Sequence, residues 1–302
     1  MALKAAVGSG IAMSASDATP PDASAQAPRP RREIIYRHSL VTRITHWINV
    51  LLISLLLMSG LQIFNAHPRL YWGMAGADSD PAVLQIQSLR HNDGRLTGRT
   101  EVGALALDTT GVLGASRDAD GAMAPHAFPA WATLPSYQDL ATGRRWHFFL
   151  AWLFVANGLI YLAFSIIGGH VRRDLMLDAD QARARHILQS LVDHIRLKHP
   201  TGAEAKRYNV LQKLAYVAVI FGLLPLMVLT GLTMSPGMDA VLPGLVPFFG
   251  GRQTARTIHF ITANLIVLFV VVHLVEVLLA GVVNEIGSMI TGRYATPQEH
   301  RP

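Results

Sequence analysis

Residues 257–274 read TIHFITANLIVLFVVVHL, and this stretch decides the fold because it is apolar enough to cross a membrane yet contains two histidines. About 20 apolar residues span a bilayer, and a polar ring without a partner is costly in hydrocarbon. His259 and His273 are fourteen residues apart. On a helix they therefore lie on nearly the same face, about 21 Å apart along the axis. The pattern predicts a partner for each ring, at two different depths.

The composition indicates a protein that crosses the membrane several times. Of the 302 residues, 51% are hydrophobic and only 15% are charged, whereas a typical soluble protein carries about 25% charged residues. Four runs are long and apolar enough to be spans; they cover residues 44–64, 146–167, 210–234 and 257–281. We therefore predict an all-α membrane protein, a bundle of four transmembrane helices with no internal repeat between its halves.

The distribution of basic residues predicts the orientation of the bundle. The segment 29–43 holds five arginines and one acid, and the connection between the second and third spans holds eight basic residues against five acids. By the positive-inside rule, the N- and C-termini are cytoplasmic. The connection 65–145 is then a long outer loop. The predicted domains are a disordered cytoplasmic tail (1–35), a membrane domain (36–294) and a C-terminal tail (295–302).

Charge and cysteine content exclude several functions. The net charge is +6, but the basic residues flank the spans and do not form a stripe with interleaved aromatics, so we predict no nucleic-acid binding. The chain has no cysteine, which excludes iron–sulfur clusters, disulfides, thiolate zinc sites and covalent haem attachment. A metal or haem would have to be held mainly by histidine, methionine or carboxylate.

Four of the thirteen histidines fall inside the spans, and their depths arrange them in pairs. His46 begins the first span and His273 lies late in the fourth, so both are near the cytoplasmic face. His147 and His259 begin the second and fourth spans, near the outer face. Zinc would normally need three or four protein ligands, whereas a haem iron needs only two axial groups. The pattern predicts two haems, an inner one on His46 and His273 and an outer one on His147 and His259.

Basic and small residues at these depths suit a porphyrin. Arg43, one turn before His46, and Arg144 and Arg145, just before His147, are placed to bind haem propionates. Small residues in the spans would let a flat ring approach the backbone; they are Gly60, Gly158, Gly222 and Gly231. The structural alternative is that each intramembrane histidine only forms a hydrogen bond across helices.

These residues resemble the pattern of the bacterial cytochrome b561 and nickel-hydrogenase b-type cytochrome superfamily. The motif RITHW at 43–47 and the two histidines fourteen apart carry the resemblance, which covers about residues 36–294. It implies four helices with two b haems, and it assigns the ligand roles to His46, His147, His259 and His273. The segment AFPAWATLPSYQDLATGRRWHFFLAWLFVANGLIYL, at 127–162, is similar to cytochrome b proteins that accompany a periplasmic molybdopterin oxidoreductase.

The function implied is electron transfer across the bacterial inner membrane between a quinone pool and a periplasmic redox partner. The chain would be the electron-transfer subunit of an oxidoreductase complex rather than a catalyst by itself. The inner haem would face quinone, and the outer loop, with Trp131 and Tyr137, would dock the partner. The alternative is a stand-alone b561-like, quinone-linked oxidase of a small reductant such as superoxide, and a third is a haem-free anchor or transporter. The sequence leaves the direction of electron flow open.

Overall fold

A computed structural model of the chain describes residues 33–77, 79–118, 120–176, 183–195 and 210–296. The helices are α1 (Leu40–Asn65), α2 (Leu140–Ile167), α3 (Ala184–Ile195), α4 (Val210–Val217), α5 (Leu224–Thr233), α6 (Pro236–Val241), α7 (Leu245–Phe248) and α8 (Arg252–Thr291). The strands are β1 (Ile34–Tyr36), β2 (Arg69–Leu70), β3 (Leu84–Arg90), β4 (Leu96–Val102), β5 (Leu105–Asp108), β6 (Ser116–Arg117), β7 (Met123–Ala124) and β8 (Arg293–Ala295). The rest of the two predicted tails, 1–32 and 297–302, lies outside the described residues.

Four helical segments are long and apolar enough to cross a membrane: α1, α2, Val210–Thr233 and α8. They coincide with the four predicted spans, so the predicted fold class is confirmed as a mostly helical protein with four membrane-length helices. The fourth helix continues past the predicted end at Gly281, where the backbone bends with φ 107°. Glycine adopts this conformation without the strain that a side chain would add.

The local sequence explains where the helices begin and where the third span changes its pitch. Ser39 and Asp139 precede α1 and α2, and their side chains accept hydrogen bonds from the backbone N–H groups of Thr42 and Thr142. Such caps satisfy donors that have no partner within the helix.

In the third span, a wider π-helical turn at Ala218–Leu223 joins α4 to α5. It lies just before Pro225, which has no N–H to donate, and this explains why the regular bonding pattern changes there.

The connection between α1 and α2 folds into β-structure, which the sequence analysis did not predict. Strands β2–β3–β4–β5 form one antiparallel sheet, and β6 pairs with β7. The turn between β3 and β4 contains Asp93 and Gly94, with Gly94 at φ 82°. Asp-Gly between alternating apolar residues is a strong hairpin signal. The predicted long loop therefore contains a folded sheet.

This sheet packs on the ends of α1 and α8. Phe64, at the end of α1, belongs to the same buried cluster as Ile86 of β3. Its ring stacks on Phe260 of α8, with centroids 4.8 Å apart. The Thr257 hydroxyl donates to the Tyr71 carbonyl at 2.6 Å. These contacts fix the sheet against the first turns of α8, immediately beside His259.

Replacing Phe64 by Ala should loosen the sheet from the bundle. The side chain is only 5% exposed, and truncating a buried Phe typically lowers the free energy of unfolding by about 3–5 kcal/mol. We expect a lower temperature of thermal denaturation in detergent and faster protease cleavage within 66–139. Phe248→Ala is the matched control, because Phe248 is 75% exposed. Equal cleavage rates in the two variants would contradict this role of Phe64.

The two ends of the described chain are joined at the opposite end of the bundle. Strand β1 pairs with β8 in an antiparallel sheet, and the Trp47 indole N–H donates to the Met289 carbonyl at 3.1 Å. Ile34 and Ile35 fall in the predicted tail, but in the structure they belong to β1. Their backbones pair with β8. The start of α1 is thereby fixed to the end of α8.

Candidate functional site

The four intramembrane histidines lie in two pairs in the structure. The ring centroids of His46 and His273 are 6.4 Å apart, with an angle of 74° between the ring planes. Those of His147 and His259 are 6.3 Å apart, at 67°. Helix α8 contributes one ring to each pair, and it is unbroken between them. The structure thus brings together the same rings that were predicted to pair from their depths in the membrane.

The separation within each pair fits one metal ion between two rings. An imidazole nitrogen binds a first-row metal at about 2 Å. The ring centroid lies about 1 Å behind that nitrogen, so two rings on opposite sides of an iron have centroids about 6 Å apart. Both observed separations match this value. Within the described residues, no group of three or more His, Cys, Asp or Glu could hold a metal ion. Two-ligand sites suit a haem, whose porphyrin supplies the remaining ligands.

The rings of His147 and His259 are held by hydroxyl groups on neighbouring helices. Ser59 Oγ of α1 lies 3.1 Å from His147 Nδ1. Thr230 Oγ1 of α5 lies 2.9 Å from His259 Nδ1. In both rings, the nitrogen that contacts the hydroxyl is Nδ1, so Nε2 is the nitrogen available to a metal.

Two of the predicted glycines lie against these rings. A Cβ added to Gly60 would lie 3.4 Å from His147 Cε1, and one added to Gly231 would lie 3.5 Å from His259 Cε1. At Gly158 and Gly222, no heavy atom of the described residues lies within 4 Å of an added Cβ. The absence of side chains at these four positions leaves space along the helices that a flat ring could use.

The pair of His46 and His273 has different surroundings. The Phe269 ring is parallel to the His273 ring, with centroids 6.0 Å apart. Asn157 of α2 is buried and donates to the Thr45 carbonyl at 2.9 Å, which fixes α2 to α1 beside His46. This pair therefore has an aromatic neighbour at His273 and a fixed helix contact next to His46.

The three predicted arginines have separate environments. Arg43 donates to the Ile290 carbonyl, and its buried Nε has no hydrogen-bond partner among the described residues. Buried donors are seldom left in this state, so an anionic group one turn from His46 would satisfy it. Arg144 lies over the Phe148 ring, 5.6 Å from its centroid. Arg145 is exposed and lines a shallow depression beside Phe149.

Ser59 and Thr230 were not predicted as site residues. They belong to a short repeat between the two halves of the bundle, which corrects the expectation that the halves share none. The first and third spans share the pattern hydroxyl-Gly-Leu, at 59–61 and 230–232. The second and fourth share an arginine three residues before a His-Phe step, at 144–148 and 256–260. The repeat is too short to stand out from two apolar sequences, but it coincides with the site.

Comparison with known proteins identifies the family of the chain. The family model described as prokaryotic cytochrome b561 matches residues 37–292. A relative from Azospira oryzae, named "Putative protein-methionine-sulfoxide reductase subunit YedZ1", is 28% identical over 251 residues, which are 82% of this chain and 93% of the relative. No solved structure matches the chain significantly.

The fold and the comparisons define a membrane cytochrome b, an electron-transfer protein that crosses the bacterial inner membrane several times. The chain belongs to the prokaryotic cytochrome b561 family. Membership implies b-type haem, and the histidine pairs are the residues whose geometry suits it.

Proposed function

We propose that the chain is a di-haem cytochrome b that carries electrons between a quinone pool and a periplasmic oxidoreductase. His46 and His273 would bind the inner haem, and His147 and His259 the outer haem. The observation that carries this proposal is the pair of centroid separations, 6.4 and 6.3 Å, each fitting one iron. A bound b haem would supply a one-electron couple between ferric and ferrous iron.

The proposed orientation has both termini in the cytoplasm, with 1–35 and 295–302 as tails around a membrane domain at 36–294. It is supported by the basic segments at 29–43 and between the second and third spans. The sheet of β2–β5 would then face the periplasm, beside the outer haem. Because it packs on Phe64 and Phe260, it offers a folded docking surface at that side.

The residues of the chain would hold the two haems apart and balance their charge. Helix α8 supplies one ligand to each, and its fourteen-residue spacing separates them by about 21 Å along the axis. Arg43 would pair with an inner-haem propionate through its unpartnered Nε. Arg144 and Arg145 would bind the propionates of the outer haem. The quinone would exchange electrons on the cytoplasmic side, near His46.

The partner we infer is an oxidoreductase that reduces protein methionine sulfoxide, because the Azospira relative is named as a subunit of such a reductase. The resemblance of 127–162 implies a molybdopterin enzyme. Reduction of a sulfoxide to a thioether consumes two electrons and two protons and releases water. The direction we propose is therefore from quinol through the chain to the periplasmic partner, with quinone as the oxidised product.

The test of the proposal is the haem content of the purified chain. We expect two haems per chain by pyridine-haemochrome assay, with a six-coordinate, low-spin b-type absorption spectrum, because each iron would have two imidazole ligands. Removal of haem by extraction should abolish reduction of the chain by quinol. A haem content near zero would exclude the cytochrome function, and a content of one would mean that only one pair binds haem.

A further inference from the structure

We propose that Ser59 and Thr230 are positioning residues for the outer haem. Their hydroxyl oxygens accept hydrogen bonds from Nδ1–H of His147 and His259, and so direct Nε2 of each ring toward the iron. This inference rests on the proposed di-haem function and adds to it the groups that set the ligand tautomer.

The protons of the two hydroxyl groups are donated to backbone carbonyls. Ser59 Oγ lies 2.8 Å from the Leu55 carbonyl oxygen, and Thr230 Oγ1 lies 2.6 Å from the Leu226 carbonyl oxygen. A carbonyl can only accept, so each hydroxyl donates its one proton to the preceding turn of its own helix. The oxygen then has only lone pairs to offer to the histidine.

The hydroxyl acceptors determine the tautomer of the two histidine rings. A neutral imidazole has one N–H and one bare nitrogen, and the bond made by one nitrogen determines which is which. Since the hydroxyl oxygens of Ser59 and Thr230 act as acceptors, Nδ1 of His147 and of His259 must be the donor. The bare nitrogen is then Nε2 in both rings, which is the form that binds iron.

The two halves of this site are equivalent. Ser59 and Thr230 are both fully buried, and both lie on the helix that packs beside the ligand helix. Both also precede a glycine at which an added Cβ would touch the ring. Independent chance contacts would not be expected to match in the hydroxyl group, the ring nitrogen and the neighbouring glycine. His46 and His273 have no such hydroxyl partner among the described residues, so any effect should be confined to the outer haem.

The hydrogen bond has a measurable electronic consequence. A ligand histidine that donates its second N–H becomes more basic, and a more basic ligand stabilises ferric over ferrous iron. Removing the acceptor should therefore raise the midpoint potential of the outer haem. A merely structural role of the hydroxyl would not give a rise in potential that Thr230→Ser avoids and that Thr233→Val fails to produce.

The experiment is an optical redox titration of the purified holoprotein and its variants. Thr230→Val keeps the shape of the side chain and removes the acceptor, and Ser59→Ala removes the acceptor of the other ring. We expect each to raise the midpoint potential of the outer haem and leave that of the inner haem unchanged. Thr230→Ser, which keeps the hydroxyl, should behave as wild type. The outer haem is identified as the one missing from His147→Ala.

Thr233→Val is the matched control. Thr233 is buried one turn further along the same helix, and its hydroxyl also donates to a carbonyl, that of Leu229 at 2.8 Å. The inference is overturned if Thr230→Val and Ser59→Ala leave the outer potential unchanged, if both haems shift equally, or if Thr233→Val has the same effect. Loss of the outer haem from Thr230→Val supports it when Thr230→Ser retains the haem, and counts against it when Thr230→Ser loses it too. A wild-type preparation without haem would instead overturn the proposed function.

Discussion

His147→Ala is expected to remove the outer haem and to leave the inner haem in place. The variant would delete one of the two ligands proposed for the outer haem, whereas His46 and His273 form a separate pair that shares no residue with it. Removing a residue that forms a hydrogen bond to a metal ligand weakens metal binding by about 10–100-fold. Removing the ligand itself should therefore lower the affinity for haem by more than about 100-fold. Haem per chain should fall from two to one, measured by pyridine haemochrome and by the low-spin signals in electron paramagnetic resonance.

The two histidines of one pair should give the same result when either is replaced. His259→Ala should remove the same haem as His147→Ala, because their rings face each other at 6.3 Å. His91→Ala is the control, since His91 is exposed and its ring contacts only the Thr97 hydroxyl among the described hydrogen bonds. Retention of both haems in His147→Ala, or loss of one and the same haem in His147→Ala and His46→Ala, would refute the proposed ligand sets.

The spans could be predicted because hydrophobic length is a one-dimensional property. A run of about 20 apolar residues has few alternatives to a membrane helix, and all four runs became membrane-length helices. Their ends were less predictable. Gly281 marks a bend within α8 rather than its end, because a single positive-φ residue can redirect a helix without terminating it.

The histidine pairs could also be anticipated, because chain direction alternates from span to span. Position along a span then fixes depth, and depth allows only certain rings to meet. This argument needs no knowledge of side-chain packing. It explains why residues that are more than a hundred positions apart, such as His147 and His259, can be matched from the sequence.

Side-chain contacts between the helices do not follow from hydrophobic length or chain direction. The contacts of Ser59 and Thr230 depend on the rotation of each helix about its axis, which hydrophobic length does not specify. The sheet between α1 and α2 had a local signal in Asp93-Gly94, but the apolar residues around it are few beside those of the spans. A segment of about 80 residues between two spans is better read for its own strand pattern than as a single loop.

His273→Ala should separate quinol oxidation from the rest of the electron path. We expect loss of the inner haem, so that duroquinol rapidly reduces the outer haem only in the fraction of molecules that retain an inner haem, because the others would lack the first electron carrier. Dithionite, which needs no quinone site, should still reduce the outer haem fully. The measurement is stopped-flow absorbance of the haem bands after mixing with each reductant.

The fold should survive this substitution, which makes the kinetic result interpretable. α1 and α8 are joined near the inner pair by backbone and side-chain contacts that do not involve His273, namely the β1–β8 pairing and the Trp47–Met289 hydrogen bond. His186→Ala, at an exposed position of α3, is the control, and its haems should be reduced at the wild-type rate.

If duroquinol still reduced the outer haem rapidly in His273→Ala, quinone would have to react on the outer side. If superoxide but not duroquinol reduced the wild-type chain, the stand-alone oxidase would be favoured over the partner-linked cytochrome. Because the proposed ligand pairs share no residue, only an inner quinone site predicts loss of quinol oxidation together with an outer haem that dithionite can still reduce.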